Sequence, residues 1–536
     1  MMDDTQLHEH KEGIAVEHDE GFSFLDKLPN GRKILLLLIL CLALFLDSFN
    51  TSAVLPALPA MSDRVGLSFI QSTWLLAGYQ LTFAALLLIS GRVTDLYNPK
   101  WVFTIGALIV AVFSLVSGFI RNGVVLIIFR AIMGIGAALT IPSAQHILVH
   151  LYRDPTQRAR ALALFGAMGA LGSVLGLIIG ALFVSFVSWP WVFYFSAIVS
   201  FAVCIGTAIL IPNRRPSSSS ESAASKFKRL DILGAMTFAA TLILFIFSLT
   251  SSSLEGWGSA QAIAPLVISA FTLAAFFFWE AFIPESYAAM PPKIWRYENV
   301  KILTAVSLVP FAWLGSIFPL YSWFWETVYH WSAIKTGVHF LPIALSSSAG
   351  LAVATFLQSR KFPLKAINLL GFTFMVVGTI LLPFGNTADL YWRFSFPGFL
   401  IAAFGVSIVY VTANIGLLAS TPPEVSGIVS AMFMSMLQTG GAAGIGIVSS
   451  IQASVESRKG GPLVFDGRAA GLWFIVGFVG FMMILSLVFM TNSSPADASN
   501  EAVTSDRDSE SAHSSVTRTE FAVEPKTIDI TQTSSA

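Results

Sequence analysis

From residue 34 to residue 491 the chain alternates long apolar runs with short polar stretches, and the runs repeat at one length. A helix needs about 20 apolar residues to cross the hydrocarbon core of a bilayer. Reading for that length predicts about fourteen spanning helices. They fall at 34–58, 72–91, 101–120, 123–148, 161–186, 189–211 and 231–250, then at 261–282, 301–326, 336–358, 366–386, 394–419, 428–452 and 470–491. Trp323, Trp325 and Glu326 crowd the end of the ninth segment and blur its boundary.

Three stretches lack this pattern. Residues 1–33 are acidic and carry His8, His10 and His18; residues 212–230 hold the serine run Ser217–Ser225; residues 492–536 are rich in Ser, Thr and acids. Such segments bury too little apolar surface to offset the entropy of ordering, and disordered tails and a linker are expected. No spacing among the histidines fixes a metal geometry. Asn492-Ser493-Ser494 matches a glycosylation sequon, but a cytosolic tail would not meet the enzyme.

Composition agrees with lipid as the main solvent. Of 536 residues, 55% are hydrophobic and 12% charged, with a mean hydropathy of +0.73. A soluble domain carries about 25% charged residues. Formal net charge is zero, so nothing suggests nucleic acid as a partner. Cys41 and Cys204 lie in apolar segments, which leaves no disulfide framework or metal cluster to expect. The first apolar run follows some thirty polar residues with no small-residue cleavage site behind it, and reads as an anchor. With the N-terminus in the cytosol, about twenty basic residues fall on the cytosolic side against about seven opposite. The exception is the loop before the last segment, with Arg458, Lys459 and Arg468.

Two stretches align without gaps. Pro155, Gly172 and Gly176 correspond to Pro423, Gly440 and Gly444, since 423 − 155 = 440 − 172 = 444 − 176 = 268. Chance in a glycine-rich chain is one reading. The other is an old duplication, with segments 1–6 and 9–14 as two bundles and segments 7 and 8 as an insert. His146 and Asn414 share the offset, 414 − 146 = 268.

Several motifs carry chemistry. In Gly91-Arg92-Val93-Thr94-Asp95-Leu96-Tyr97-Asn98-Pro99-Lys100, Gly91 permits a tight exit from the second helix and Asn98 a left-handed turn. Asp95 would accept from a helix N-terminus or pair with a base. The first segment ends Leu46-Asp47-Ser48-Phe49-Asn50-Thr51-Ser52-Ala53-Val54-Leu55-Pro56. An ionised carboxylate there costs several kcal/mol unless it pairs, protonates or meets water. Asp47 is therefore either a structural polar contact or a transport group. The fourth segment holds Arg130-x-x-x-Gly134-x-Gly136, the fifth Gly172-x-x-x-Gly176-Leu177-x-x-Gly180-Ala181, the sixth opens Trp189-Pro190-Trp191-Val192-Phe193, and the thirteenth holds Gln438-Thr439-Gly440-Gly441. Small residues at the spacing of Gly172, Gly176 and Gly180, and of Gly440 and Gly444, allow close helix packing.

Together these stretches resemble the major facilitator superfamily, in its 14-span drug:proton antiporter-2 branch. The runs at 81–92 and 161–166 are most similar to fungal aminotriazole-resistance-like transporters. The sequence departs from the family pattern at Asn98 and Pro99, and at Leu177 and Ala181, where the family has Pro and Gly. The last departure removes the proline-dependent bend tied to antiport. The resemblance implies an all-α membrane fold, a six-helix bundle over 34–211, inserted helices over 231–282 and a second bundle over 301–491. It implies export of a small amphiphilic compound by alternating access, or alternatively carriage of a small solute not driven by protons. The expected partners are that substrate, protons and lipid, in a monomer without cofactor and without enzymatic chemistry. The plasma membrane is the expected location, the vacuolar membrane the alternative, with both termini cytosolic.

Depth adds a pairing. Asp47 lies 47 − 34 = 13 residues from the start of its segment, roughly 20 Å in, and Arg130 130 − 123 = 7 residues from the start of the opposite-running fourth, roughly 10 Å in. Both fall near one level of a core roughly 30 Å thick, so a proton-switched Asp47–Arg130 interaction is expected. Glu326 is a second titratable candidate, or else an exposed carboxylate. The expected substrate cavity comprises Asn50, Thr51, His146, Trp313 and Tyr321, with Trp323, Tyr410 and Asn414; the same residues would suit ordinary helix packing. Gly91, Arg92, Asp95 and Lys100 form the expected conformational latch.

Overall fold

The computed structural model describes residues 25, 28–152, 154–212, 231–284, 288, 290, 292–421 and 425–492. The expected disordered tails and serine linker, with His8, His10, His18, Pro423 and the sequon beyond Asn492, lie outside the described residues. Among those described, the chain is helical with no strand.

Six long helices come first: α1 Asn30–Ser52, α2 Trp74–Leu96, α3 Pro99–Ser117, α4 Gly123–Leu151, α5 Pro155–Phe186 and α6 Pro190–Leu210. Two follow, α7 Ile232–Glu255 and α8 Ala260–Phe282. The last six are α9 Val309–Thr327, α10 Ala333–Ser359, α11 Leu364–Leu381, α12 Phe396–Ala419, α13 Ser426–Glu456 and α14 Asp466–Phe489. Among the described residues, thirteen spans are long and apolar enough to cross a membrane; α2, apolar over Trp74–Leu87, supplies the fourteenth segment. Outward rows such as Ile198, Ile205 and Ile209 are exposed, as expected of faces that meet acyl chains.

Three local expectations are corrected. The first helix stops at Ser52 rather than near residue 58, and turns lead into a short helix, Leu58–Val65. Pro56 lies in those turns, where it has no backbone N–H to continue the ladder. The ninth segment is two helices, Val300–Val306 and α9, parted at Ser307–Leu308. Pro310 cannot donate to the turn before it. Finally, α2 runs straight through Gly91 to Leu96, and Asn98 is extended, at φ −64° and ψ 113°. Its side chain caps α3 by accepting from the Lys100 N–H at 3.0 Å, the ordinary N-cap role of asparagine.

In the first bundle α1 packs on α5 and α6, α2 on α4, and α3 on α4 and α6. The second repeats this pattern, α9 on α13, α11 on α12 and α14. The bundles meet along α2 with α13 and α5 with α10, while α7 pairs with α8 and rests on α13 and α2.

The glycine repeat has a packing basis. Gly172 faces the Phe45 backbone and Gly176 the Phe49 backbone and Ser52, pressing α5 onto α1. Gly440 faces the Leu308 backbone and Gly444 that of Ala312 and the Ser316 side chain, pressing α13 onto the start of α9. The partners also keep one offset, 308 − 45 = 312 − 49 = 263. Both halves therefore use matching glycines against matching backbone positions.

Candidate functional site

The site begins with three polar residues in an apolar helix. Asp47 and Asn50 are three apart on α1 and so share a face. Thr51 turns its hydroxyl back to the Asp47 carbonyl at 3.3 Å. Asp47 receives the hydroxyl of Tyr79, from α2, at 2.6 Å on Oδ1.

The α4 motif then brings in a cation. Gly134 lies against the Tyr79 backbone and Thr82 of α2, and Gly136 against Gly106 of α3. Thr82 donates to the Ala131 carbonyl at 2.7 Å, fixing the crossing. With α2 and α4 this close, Arg130 is fully buried, its Nε donates to the Leu75 carbonyl at 2.8 Å, and its guanidinium lies 4.6 Å from the Tyr79 ring centroid. Such a cation–π contact is worth about 2 kcal/mol when desolvated. Arg130 Nη1 and Nη2 have no hydrogen-bond partner. Asp47 and Arg130 are therefore brought together around Tyr79, which stands between them.

A small cavity opens beside the carboxylate. Its polar lining is Asp47, Asn50, Tyr79, Thr140 and Ser200, from α1, α2, α4 and α6, and α3 closes it with Ala107 and Val110. All of these belong to the first bundle. Asp47 and Asn50 thus face that bundle's interior rather than the seam between bundles.

The other candidates are dispersed. Trp313 is buried and bonds Thr379 through its indole N–H at 2.9 Å; Tyr321 donates to the Leu382 carbonyl at 3.0 Å. Both tie α9 within the second bundle. Trp323 stacks on Arg468, 5.0 Å from ring centroid to guanidinium. Tyr410 packs on Phe433, one turn from the half-buried Asn414 on α12. His146 stacks on His150 near the end of α4, with ring centroids 4.4 Å apart. Glu326 is half-buried rather than exposed, one turn from Ser322, whose hydroxyl lies 3.4 Å from its Oε1. Ser322 also reaches the Leu55 carbonyl at 3.0 Å, joining the two bundles at that end.

At the opposite end, Arg92 donates to the Ala288 carbonyl, in the link between α8 and α9. Lys100 bonds the Ala208 and Ile211 carbonyls at 2.9 and 2.6 Å, and Arg32 bonds Leu210 at 2.7 Å. Two cations thus cap the C-terminus of α6, where the helix dipole favours positive charge. The Asp95 side chain lies outside the described residues.

Sequence reasoning missed four participants. Tyr79 was signalled only by a hydroxyl in an apolar helix, a group that needs a partner when buried. Thr140 and Ser200 gave no signal, because small hydroxyls in spans usually bond their own helix. Arg468, read as a loop cation, is buried inside α14 and pairs with Glu456 at 3.3 Å. Glu456 also accepts from Gln452 at 2.7 Å. Nearby Tyr329 keeps its proton at neutral pH: burial pushes it up to about 12, and the Arg468 charge acts against that rise.

Two six-helix bundles with a polar cluster inside one of them are the architecture of a multi-pass membrane transporter. The chain belongs to the Major Facilitator Superfamily, whose family model matches residues 40–445. It is 26% identical over 456 residues to the low affinity ammonium transporter of Saccharomyces cerevisiae, covering 84% of this chain and 87% of that one. It is 25% identical over 504 residues to the efflux pump terJ of Aspergillus terreus, covering 91% and 94%. Among solved structures it is similar in fold to a peptide transporter POT bound to sulfate, with a TM-score of 0.61 at 15% identity, covering 84% of this chain and 93% of that one. The relatives include efflux pumps and multidrug transporters, consistent with the branch its motifs resemble, and they are transporters rather than enzymes.

Proposed function

We propose that this transporter exports a small amphiphilic compound in exchange for protons, with Asp47 as the group that binds and releases the proton. The supporting observation is the Asp47–Tyr79–Arg130 cluster, in which Tyr79 and Arg130 are buried and Asp47 half-buried. A carboxylate in the bilayer interior is costly and is retained where it serves a function. Here Tyr79 donates to the carboxylate and Arg130 lies across the tyrosine ring. Protonation removes that charge, weakens the Tyr79 bond and leaves Arg130 uncompensated, so α1, α2 and α4 prefer a different packing in each state. Alternating access of a cavity between the bundles turns that preference into transport. A proton entering down 100 mV supplies about 2.3 kcal/mol.

In this reading cargo passes between the bundles near Thr51, His146, Tyr410 and Asn414, and Glu326 is a second titratable group at the Ser322–Leu55 closure. Gly91, Arg92 and Asp95 act at the other end. Lys100 and Arg32 hold α6 in place. Both termini face the cytosol, at the plasma membrane or alternatively the vacuolar membrane.

A second reading, carriage of a small solute without proton exchange, is favoured by Leu177 and Ala181 in the α5 motif and by the similarity to the yeast low affinity ammonium transporter. Reconstitution separates the two. Dye efflux that stops when the pH gradient is collapsed supports exchange; transport that persists supports the second reading.

A further inference from the structure

Two buried polar atoms meet at the cavity of the first bundle without partners. Asn50 and Ser200 are each 2% exposed, and neither Asn50 Nδ2 nor Ser200 Oγ makes a hydrogen bond. Both line the cavity beside Asp47, one from α1 and one from α6. The Thr140 hydroxyl, on a third side, donates to the Ala137 carbonyl at 2.9 Å and retains its oxygen as an acceptor. Leaving such an atom unpaired costs about 1–3 kcal/mol. Two of them on one void point to an occupant that bonds both.

The cavity limits that occupant. Its remaining walls are alanine, leucine and valine, and its free space is on the order of one or two water molecules. Organic cargo does not fit. Charge decides between water and a small cation. Asp47 and Arg130 already balance each other, so a monovalent cation would add uncompensated charge in a dehydrated interior. Water adds none. It can accept from Asn50 Nδ2, exchange a bond with Ser200 and donate to Asp47, which satisfies all three.

We propose that Asp47, Asn50 and Ser200 bind one water molecule inside the first bundle, and that this water hands the proton to and from Asp47. The assignment rests on Asp47 being the proton site. As the proton enters, the water accepts a proton from outside the cavity while one of its own O–H bonds breaks and a new O–H bond forms on the carboxylate, so that no separate cation occupies the cavity. One proton moves and the water is conserved. Among the described residues, the titratable or charged side chains facing Asp47 are Tyr79 of α2 and Arg130 of α4. The α5 face against α1 is Gly169, Gly172 and Gly176, and α6 contributes Ser200 and Val203.

Infrared difference spectra of the full-length protein in lipid nanodiscs test this, recorded between acid and alkaline buffer in ordinary and heavy-oxygen water. The wild type is expected to show a water O–H band that shifts with the oxygen isotope. Ser200→Ala should remove that band and slow carboxyl protonation after a pH jump by about a hundredfold. Asn50→Leu should also remove the band; if it fails to fold, Ser200→Ala stands alone because it deletes one oxygen only. A band that is absent from the wild type, or that survives in Ser200→Ala, overturns the water site. A band that is lost with no change in protonation rate overturns the relay. A carboxyl signal that persists in Asp47→Asn refutes the assignment of the proton to Asp47 instead, and leaves the water result to be read by itself.

Discussion

The Tyr79 hydroxyl donates to Asp47 Oδ1 across 2.6 Å, from α2 to α1. The other side of the tyrosine is committed as well, with Arg130 4.6 Å from its ring centroid. One aromatic side chain therefore couples a carboxylate on one helix to a cation on another. Opposite charges in a low-dielectric interior communicate through it without direct contact.

Removing only the oxygen isolates this link. In Tyr79→Phe the ring still meets Arg130, but the carboxylate loses a bond worth about 1.5–3 kcal/mol to its charged form. The carboxyl then holds its proton to higher pH, so the midpoint of transport against pH should rise by about one to two units, each unit being about 1.4 kcal/mol. Dye efflux from proteoliposomes across the pH range checks this. An unmoved midpoint would mean that Tyr79 is packing only.

The matched glycines predict matched sensitivity. A Cβ on Gly444 would sit 2.8 Å from Ala312 Cα, and one on Gly176 3.2 Å from Phe49 Cα. Gly176→Val and Gly444→Val should each cost at least about 1–3 kcal/mol through overpacking, seen as a lower Tm of the purified protein. Gly166→Ala should be near neutral, since nothing lies within 4 Å. Sensitivity in one half only would undo the packing basis of the repeat.

At the far end of the second bundle, Arg468→Met would strand Glu456 in a largely buried position. Breaking such a pair costs about 3–5 kcal/mol. Adding Glu456→Gln should restore most of the lost thermal stability, because no uncompensated charge remains. Equal destabilisation in single and double variants would show that the guanidinium matters through its contacts with Trp323 and Phe324.

Much of the fold was legible because apolar length alone marks a membrane helix. Glycine spacing located the α5 and α13 contacts, and rise per residue put Asp47 and Arg130 near one level. Helix rotation was not legible. An uneven apolar sequence in lipid has no single polar face, so nothing indicated that Asp47 turns toward α3 and α6 inside one bundle. The same gap hid the bonds that Trp313 and Tyr321 make to Thr379 and Leu382. Lys100 read as part of a latch because its neighbours in sequence are charged; its bonds to carbonyls at the end of α6, 108 and 111 residues away, were not legible. Arg468 read as a loop cation because the sequence shows no partner for it, yet Glu456 waits one helix back.

Asp47→Asn, reconstituted beside wild type with an imposed pH gradient, is the most direct measurement of the coupling. The substitution keeps the size of the side chain and a hydrogen-bonding oxygen for Tyr79, and it removes the exchangeable proton. Efflux of a fluorescent amphiphilic dye should stop responding to the gradient, while gradient-independent dye exchange continues. Undiminished gradient-driven efflux in the variant would contradict the role given to Asp47.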